Sequence, residues 1–281
     1  MKRQGKYRCL AGLLLIGLLF LFSGCSKKNQ SFNLRPNLNA ADDIVIAERG
    51  LAHTFNLLLR ANLDSMIMNT GHGIIDQAIV AYLKPENTFN ILYSGKRCAD
   101  SAVRNGLISI RLSGNFFTKG TVSRVTFKGY SEDYHLFTGS DSLVNQGSSP
   151  AGFLVMASFI DSLIIYKDST GSIHWYSSLV YNIPPMIKLP PDSNTPVNIT
   201  GSAHGISSHS YNYSLQITSP LINDLNCPWF RDGIMQVSIS GVDVPSGTIR
   251  FMNRTKCDNR VTYDFEGNLF EWWINARKLG V

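Results

Sequence analysis

The side chains that could carry out chemistry are few in this sequence and lie far apart. The chain of 281 residues contains only five glutamates, which are Glu48, Glu86, Glu132, Glu266 and Glu271. Glycoside hydrolysis needs two carboxylates that face each other about 5 to 10 Å apart, and the sequence nominates no such pair. It also contains no glycine-rich phosphate loop, nucleophile elbow or zincin helix. We therefore predict a non-catalytic protein that needs no cofactor.

The histidines do not form a recognisable metal motif. His204 and His209 lie five residues apart in a stretch rich in glycine and serine, and His72 is flanked by Gly71 and Gly73. A protein zinc site needs three or four converging ligands. No Asp, Glu or Cys accompanies these histidines at a usable spacing, so the sequence predicts no metal site.

The first 24 residues have the composition of an export signal. Four basic residues fall within the first eight positions, the apolar run 10–22 follows, and the small residues Ser23 and Gly24 precede Cys25. An apolar run of this length extends roughly 20 Å as a helix, which is less than the ~30 Å hydrocarbon core of a bilayer. The segment therefore predicts a removable signal peptide, 1–24, rather than a spanning helix.

The position of the signal also explains the formal net charge of +6. Without its four basic residues, the rest of the chain carries 22 basic and 20 acidic side chains, a net charge of +2. Such a weak excess does not indicate a phosphate-rich partner, and we predict no binding to nucleic acid. The hydrophobic fraction of 44% excludes a disordered chain.

The segment Leu21-Phe22-Ser23-Gly24-Cys25 resembles a bacterial lipobox. The resemblance implies that the Cys25 thiol receives diacylglycerol and that the mature chain begins there. Two or three acyl chains would then hold the protein stably on the membrane, since one chain alone binds only marginally. The alternative is a secretory signal that has a cysteine nearby.

The residues that follow, 25–41, are predicted to form a short tether. Surface-directed lipoproteins of the Bacteroidota tend to carry acidic residues just after the cysteine, whereas this chain has Lys27 and Lys28. We therefore expect a lipid anchor in the outer membrane with the protein facing the periplasm, and surface exposure is the alternative.

Three cysteines remain once Cys9 leaves with the signal and Cys25 is lipidated. Disulfides are permitted outside the inner membrane, and Cys227 and Cys257 lie in the same C-terminal part of the chain. We prefer this pair as a disulfide, which would stabilise the fold by about 3 to 4 kcal/mol in the chain-entropy model. The alternative is three buried free thiols.

The elements that must position these residues are mostly strands. Apolar residues recur at steps of three and four from Asp42 to about Arg60, which predicts one amphipathic helix. Beyond Thr88 the period changes to two, which is typical of strands, and the stretch 74–83 is compatible with either. We predict a mainly β fold of antiparallel sheets, arranged as a sandwich or a meander, with one N-terminal helix.

An internal repeat suggests that the β-structure comes from two related modules. Residues 104–114 align without gaps on residues 231–241, and Gly120-Thr121-Val122 falls on Gly247-Thr248-Ile249 at the same offset of 127. Chance similarity of two alternating strands is the alternative. Asn105-Gly106 and Asp232-Gly233 are dipeptides favoured in tight hairpin turns, so each copy is predicted to begin with such a turn.

The predicted organisation follows from this repeat and from proline content. The segment 42–183 holds the helix and the first β-module, 184–198 is a proline-rich loop, and 199–281 is the second β-module. The chain is expected to end in a hairpin, in which Trp272 and Trp273 point to opposite faces.

These motifs resemble those of uncharacterised Bacteroidota envelope lipoproteins. The resemblance rests on Arg-x-Gly before a strand that ends in Ser-Gly, on 126–130 (TFKGY), on 199–205 (ITGSAHG), and on Lys256-Cys257-Asp258-Asn259 before Tyr263-Asp264-Phe265. It covers most of the chain from Asp42 onward and implies location and architecture, but no activity.

Taken together, the sequence favours an anchored envelope lipoprotein that acts as a non-catalytic binding or structural component. Its expected partners are the membrane, through the N-terminal lipid, and a glycan or another envelope protein. A surface adhesin or pilus-associated subunit is the second interpretation, and a glycan-active hydrolase is the third.

Overall fold

The computed structural model describes residues 35–167, 171–185, 195–240, 246–252 and 257–274. These residues form two α-helices, a short 3-10 turn and fourteen strands, which confirms the predicted mainly β class. The helices are α1 (Arg35–Leu63) and α2 (Ser65–Thr70). The strands are β1 (His72–Ile75), β2 (Ala78–Leu83), β3 (Thr88–Arg97), β4 (Val103–Leu112), β5 (Val122–Glu132), β6 (His135–Ser148), β7 (Leu154–Lys167), β8 (Gly171–Ile183), β9 (Pro196–Ile206), β10 (Asn212–Asp224), β11 (Phe230–Ser240), β12 (Gly247–Phe251), β13 (Arg260–Phe265) and β14 (Asn268–Trp273).

All fourteen strands belong to one antiparallel sheet, and each pairs with its neighbours in chain order. Of the two predicted arrangements, the structure is the meander and not the sandwich. β8 and β9 pair along nine positions, from His174↔Ile206 to Asn182↔Asn198. The segment predicted as a proline-rich loop, 184–198, therefore lies between two adjacent strands of one sheet, and β9 begins within it at Pro196.

The helix α1 is longer and more deeply enclosed than its sequence pattern predicts. It begins at Arg35 and not at Asp42, with Pro36 in its first turn, where the missing amide hydrogen is tolerated. From Ala40 to Leu59 every residue is buried except the half-buried Asp42. An amphipathic helix on one face of a sheet would expose its polar side, whereas the polar residues of α1 between Ala40 and Leu59 are also covered.

The sheet encloses α1 because strands from its whole width contact the helix. The hydroxyl group of Tyr93 in β3 lies within hydrogen-bond distance, 3.2 Å, of Nε2 of His53 in the helix. Phe137 of β6 packs against the helix backbone at Gly50, and the ring of Tyr181 in β8 stacks on that of Phe55, with ring centroids 4.1 Å apart. At the far end of the sheet, the indole nitrogen of Trp272 in β14 donates to Asp42 at 3.1 Å. Inward-facing side chains of a curved sheet thus surround the helix on all sides.

Gly50 has a packing role in the middle of α1. A glycine there costs about 1 kcal/mol of helix propensity relative to alanine. The ring of Phe137 lies against it, and a Cβ at this position would be only 2.6 Å from the Phe137 Cζ. The missing side chain therefore lets an aromatic ring of β6 approach the helix backbone.

The repeated segments are both strands, and each turns alternate apolar residues toward the core. Ile108 and Ile110 in β4, and Met235 and Val237 in β11, are all fully buried. The hairpin registers differ, however: Ile110 pairs with Val125, whereas its counterpart Val237 pairs with Gly247, which is the counterpart of Gly120. The first strands of the two repeats, β4 and β11, are therefore equivalent. The registers in which they pair with the following strands, β5 and β12, are not.

The expected hairpin turns at Asn105-Gly106 and Asp232-Gly233 are not formed. Both dipeptides lie inside strands, β4 and β11. Gly106 has a φ of +90°, and the register shifts between Asn105 and Leu107, as in a β-bulge. A Cβ on Gly106 would overlap the carbonyl group of Gly129. The glycine is needed for close strand approach, a requirement that produces the same dipeptide as a turn.

The first edge of the sheet carries an apolar row on its outer face. Ile74 of β1 lies opposite Ile79 of β2, which lies opposite Leu92 of β3. Their exposed fractions are 71%, 56% and 46%. We call these three residues the outer apolar row. None of the helices in the described part of the chain combines the length and hydrophobicity that a membrane-spanning helix requires.

Glu48 is an ionisable side chain in the core that forms no hydrogen bond with the described residues. Its side chain is almost completely buried, and neither carboxylate oxygen has a hydrogen-bond partner among the described residues. Burial raises the pKa of Glu48 from 4.5 to about 8. The folded protein therefore keeps a proton on Glu48 at pH values where the unfolded chain has released it.

We predict that ionisation of Glu48 destabilises the folded protein as the pH rises from about 4.5 to about 8, and that Glu48→Gln removes this contribution. Each pH unit in which only the folded state binds the proton lowers the free energy of unfolding by up to about 1.4 kcal/mol. Denaturant unfolding of the full chain across this range measures the effect.

The difference between wild type and variant isolates Glu48, because Asp141, whose pKa burial raises to about 7, adds a pH dependence of the same sign to both proteins. The exposed Glu86→Gln serves as the matched control and should leave the profile unchanged. Equal pH slopes for wild type and Glu48→Gln would contradict the burial of an ionisable Glu48.

Candidate binding site

A pocket of about 230 Å³ lies beside the second half of α1, and we call it the helix-end pocket. One wall is the helix face formed by His53, Asn56, Leu57 and Arg60, which recur at the three- and four-residue steps of a single helix face. The opposite walls are Asp76 in the turn after β1, Ala99 and Asp100 in the loop after β3, and the loop 225–228 after β10. The sheet therefore supplies three loops that meet one face of the buried helix.

The loop 225–228 is fixed from both sides. Cys227 is joined to Cys257 by a disulfide, with the sulfur atoms 2.06 Å apart. The side-chain amide of Asn223 donates to the carbonyl oxygens of Cys227, at 3.0 Å, and Trp229, at 3.3 Å. Its oxygen accepts from the Asn56 amide at 2.5 Å. The pocket wall is thus tied to both the helix and the C-terminal strands.

A group of charges, which we call the charge cluster, joins two residues of the pocket wall to the interior: Asp76 and Asp100 in the wall, with Arg49, Arg104 and Glu132. Arg104 donates to Asp100 through both terminal nitrogens, at 2.5 and 2.9 Å, and to Glu132 through Nε at 2.9 Å. Arg49 of the helix contacts the other oxygen of Glu132 and lies 3.5 Å from Asp100. Both guanidinium groups are almost completely buried. The cluster therefore links α1 to β5 through the ion pairs of Arg49, and it links β4 to β5 through the charge-assisted hydrogen bond from Arg104 to Glu132.

An aromatic ring completes the surroundings of Arg49. Its guanidinium carbon lies 4.7 Å from the ring centroid of Trp229, which is within cation–π distance. Trp229 follows the pocket loop directly, so the same arginine contacts the cluster and the base of that loop.

The pKa values of the cluster are shifted by burial and by the neighbouring charges. Burial lowers the pKa of Arg49 to about 10, and Arg104 contributes to the shift. Burial opposes ionisation of Asp100, but hydrogen bonds and charge from Arg104 hold the pKa of that carboxyl below its ordinary value. Asp100 is therefore ionised, and both of its carboxylate oxygens accept hydrogen bonds from Arg104.

His53 is held neutral in the pocket wall. Burial, together with the charges of Arg104, Arg49 and Arg60, places the pKa of His53 well below its ordinary value. Its Nε2 lies 3.2 Å from the Tyr93 hydroxyl. A neutral imidazole can donate one hydrogen bond and accept one, so His53 offers the pocket polarity without charge.

Three side chains next to the pocket have the donor types of a metal site. The ligand atoms of Asp76, Cys98 and Asp100 all lie within 4.8 Å of one another. However, Arg104 lies 3.4 Å from Asp76 and 2.5 Å from Asp100, and burial raises the pKa of the Cys98 thiol. Arg104 already pairs with both carboxylates, and its positive charge disfavours a divalent metal ion between them. The arrangement therefore fits the arginine better than a metal ion.

The structure describes some of the site residues predicted from the sequence but not all of them. Cys25, the predicted lipid attachment site, lies outside the described residues. The structure brings Cys227 and Cys257 together as a disulfide and leaves Cys98 as a buried free thiol. The remaining pocket and cluster residues were missed, although Arg104 belonged to the repeat and Arg49 and His53 interrupted the apolar pattern of the helix.

Comparison of the chain with protein-family models, with curated proteins and with solved structures found no significant match. The site must therefore be interpreted from its own geometry.

Proposed function

We propose that this protein is a membrane-anchored lipoprotein of the bacterial cell envelope that acts as a non-catalytic binding component, with the helix-end pocket as its binding site. The observation that carries the proposal is a built pocket with polar walls whose neighbouring acids, Asp100 and Glu132, are held by arginines. Small-molecule sites are concave and combine apolar walls with a few placed polar groups. This pocket has both.

The ion pairs that Asp100 and Glu132 form with arginines favour binding over catalysis. A general acid or base must exchange its proton with the substrate near the working pH. Asp100 is kept ionised by Arg104, and His53 is kept neutral by burial and three nearby arginines. Both groups are therefore suited to hold a fixed hydrogen-bonding pattern around a ligand.

The location part of the proposal rests on the sequence alone. The basic start, the short apolar run and the Leu-Phe-Ser-Gly-Cys segment support export and lipidation at Cys25. An anchored binding protein of the outer membrane would then present its pocket to the periplasm, where disulfides such as Cys227–Cys257 form.

We expect Cys25→Ala to abolish incorporation of labelled palmitate and to release the protein from the membrane fraction, because the thiol is the acceptor of the lipid. Cys9→Ala is the matched control, since it removes a cysteine from the same segment and should preserve labelling. Labelling and membrane retention of Cys25→Ala would contradict the lipoprotein assignment.

A screen of small polar molecules against the full chain tests the pocket. We expect ligands to be found by saturation-transfer NMR, and we expect Ala99→Trp to abolish their binding because the new ring would occupy the pocket that Ala99 lines. Ala151→Trp, which places the same ring in an exposed turn, should leave binding unchanged. Ligands that bind wild type and Ala99→Trp equally, or a screen without ligands, would contradict the proposed binding role.

The outer apolar row favours a second candidate, a surface adhesin or pilus-associated subunit. Ile74, Ile79 and Leu92 lie side by side on the first strands of the sheet, where β1 forms an edge. Exposed edge strands can pair with a strand of another protein. Labelling of intact cells by a membrane-impermeant reagent would favour this role over a periplasmic one.

A further inference from the structure

We propose that the ligand of the helix-end pocket is a small zwitterion with an aliphatic side chain, of the α-amino acid class, whose carboxylate is bound by Arg60 and whose ammonium group is bound by Asp76. This inference rests on the proposed binding function and specifies the ligand of the same pocket.

Arg60 is the available cation of the pocket. It lies on the helix wall, and its guanidinium group has no ion-pair or hydrogen-bond partner among the described residues. Its Nε is buried without a partner, which is costly for a charged donor. A planar guanidinium binds a carboxylate through two parallel hydrogen bonds. Arg60 is therefore placed and free to receive an anionic group.

Asp76 is the available acceptor on the opposite wall. It accepts from the Ala99 amide at 3.3 Å and from Arg104 at 3.4 Å, both at the long end of hydrogen-bond distances. Asp100, by comparison, is engaged by Arg104 at 2.5 Å. An ionised carboxylate has about four acceptor positions, so Asp76 has capacity left for a donor from the pocket.

Arg60 and Asp76 face the same pocket without pairing with each other. No guanidinium nitrogen of Arg60 lies within 4.0 Å of an Asp76 carboxylate oxygen. Two opposite charges separated by a pocket can be bridged by a molecule that carries both charges. A zwitterion satisfies Arg60 and Asp76 together.

The charge balance around the pocket selects against ligands of a single sign. Within the pocket lining and the charge cluster, three arginines (Arg49, Arg60 and Arg104) face three acids (Asp76, Asp100 and Glu132), and His53 is neutral. Asp133 acts on Arg49 from outside this set. A simple anion or cation would leave a net charge in this largely buried region, which is unfavourable. A zwitterion adds no net charge.

The size and lining of the pocket fit a small amino acid. Its volume of about 230 Å³ lies below the roughly 300 to 1,000 Å³ of pockets that hold drug-sized ligands. Leu57, Leu225 and Pro228 provide apolar surface beside the charged groups. An aliphatic side chain would contact this surface while the charged end of the molecule bridges Arg60 and Asp76.

The test uses calorimetric titration of the full chain, purified in detergent, with three matched probes: L-leucine, 3-methylbutylamine, which lacks the carboxylate, and 4-methylpentanoate, which lacks the amine. We expect L-leucine to bind and each single-charge analogue to bind at least about tenfold more weakly, since each loses one charge-assisted contact. Analogues that bind as tightly as L-leucine, or no L-leucine binding at millimolar concentration, would overturn the inference.

Two variants assign the contacts. Arg60→Gln and Asp76→Asn should each weaken L-leucine binding at least about tenfold. Arg60→Gln should further weaken 4-methylpentanoate but not the amine, and Asp76→Asn should do the reverse, a pattern that a general folding defect would not produce. Arg111→Gln, an exposed position on β4, is the control and should bind like wild type. Equal loss of both analogues in both variants, or no loss of L-leucine binding, would contradict the assigned contacts.

The inference and the proposed function fail in different ways. If other small molecules bind wild type but not Ala99→Trp, while L-leucine does not bind, the zwitterion assignment is wrong and the binding function stands. If no molecule binds at the pocket, both are wrong.

Discussion

The structure depends on burying a helix that carries ionisable side chains inside a curved sheet. Asp43, Glu48, Arg49 and His53 all lie in the interior. An ionised group in a low-dielectric interior must be paired, hydrogen-bonded or neutralised, and the helix shows all three outcomes. Asp43 accepts hydrogen bonds from Lys167 and Ser208, and Arg49 forms ion pairs in the charge cluster. Burial raises the pKa of Glu48 to about 8, which keeps its side chain mostly protonated at neutral pH.

This constraint explains why the loops around the helix are held in place. Arg49 can be buried only if Glu132, Asp100 and the ring of Trp229 surround it, which fixes β5, the loop after β3 and the loop after β10 relative to α1. The disulfide at Cys227 and the side chain of Asn223 hold the last of these loops. The helix-end pocket forms where these loops meet the helix. Its shape therefore depends on the contacts that the buried charges make with the loops.

The sequence predicted the fold class well because period-two alternation directly reflects one buried sheet face. It also predicted the helix, but not that both sides of the helix are covered, since local periodicity cannot show how many strands pack around an element. Asn105-Gly106 was interpreted as a turn because a turn and a bulge both need positive φ; only the close approach of Gly129 distinguishes them.

The pocket itself was not predictable from the sequence. Arg60, Asp76 and Cys227 come from separate parts of the chain, and only the pairing of fourteen strands brings them together. The pair Cys227 and Cys257 was accessible because cysteine chemistry limits the choices to three residues, whereas arginines and aspartates are too common for their spacing to indicate a site.

The most direct measurement of the central claim is a double-mutant cycle between Arg49 and Glu132 by denaturant unfolding of Arg49→Met, Glu132→Met and the double variant. If the charges are buried and mutually dependent, each single variant should lose about 3 to 5 kcal/mol, and the double variant should lose much less than the sum, because removing one partner strands the other. The half-exposed pair Arg250 and Asp264, 3.1 Å apart, provides the comparison and should couple by less than about 1 kcal/mol. Additive losses for Arg49 and Glu132, or a coupling no larger than that of the exposed pair, would contradict the account.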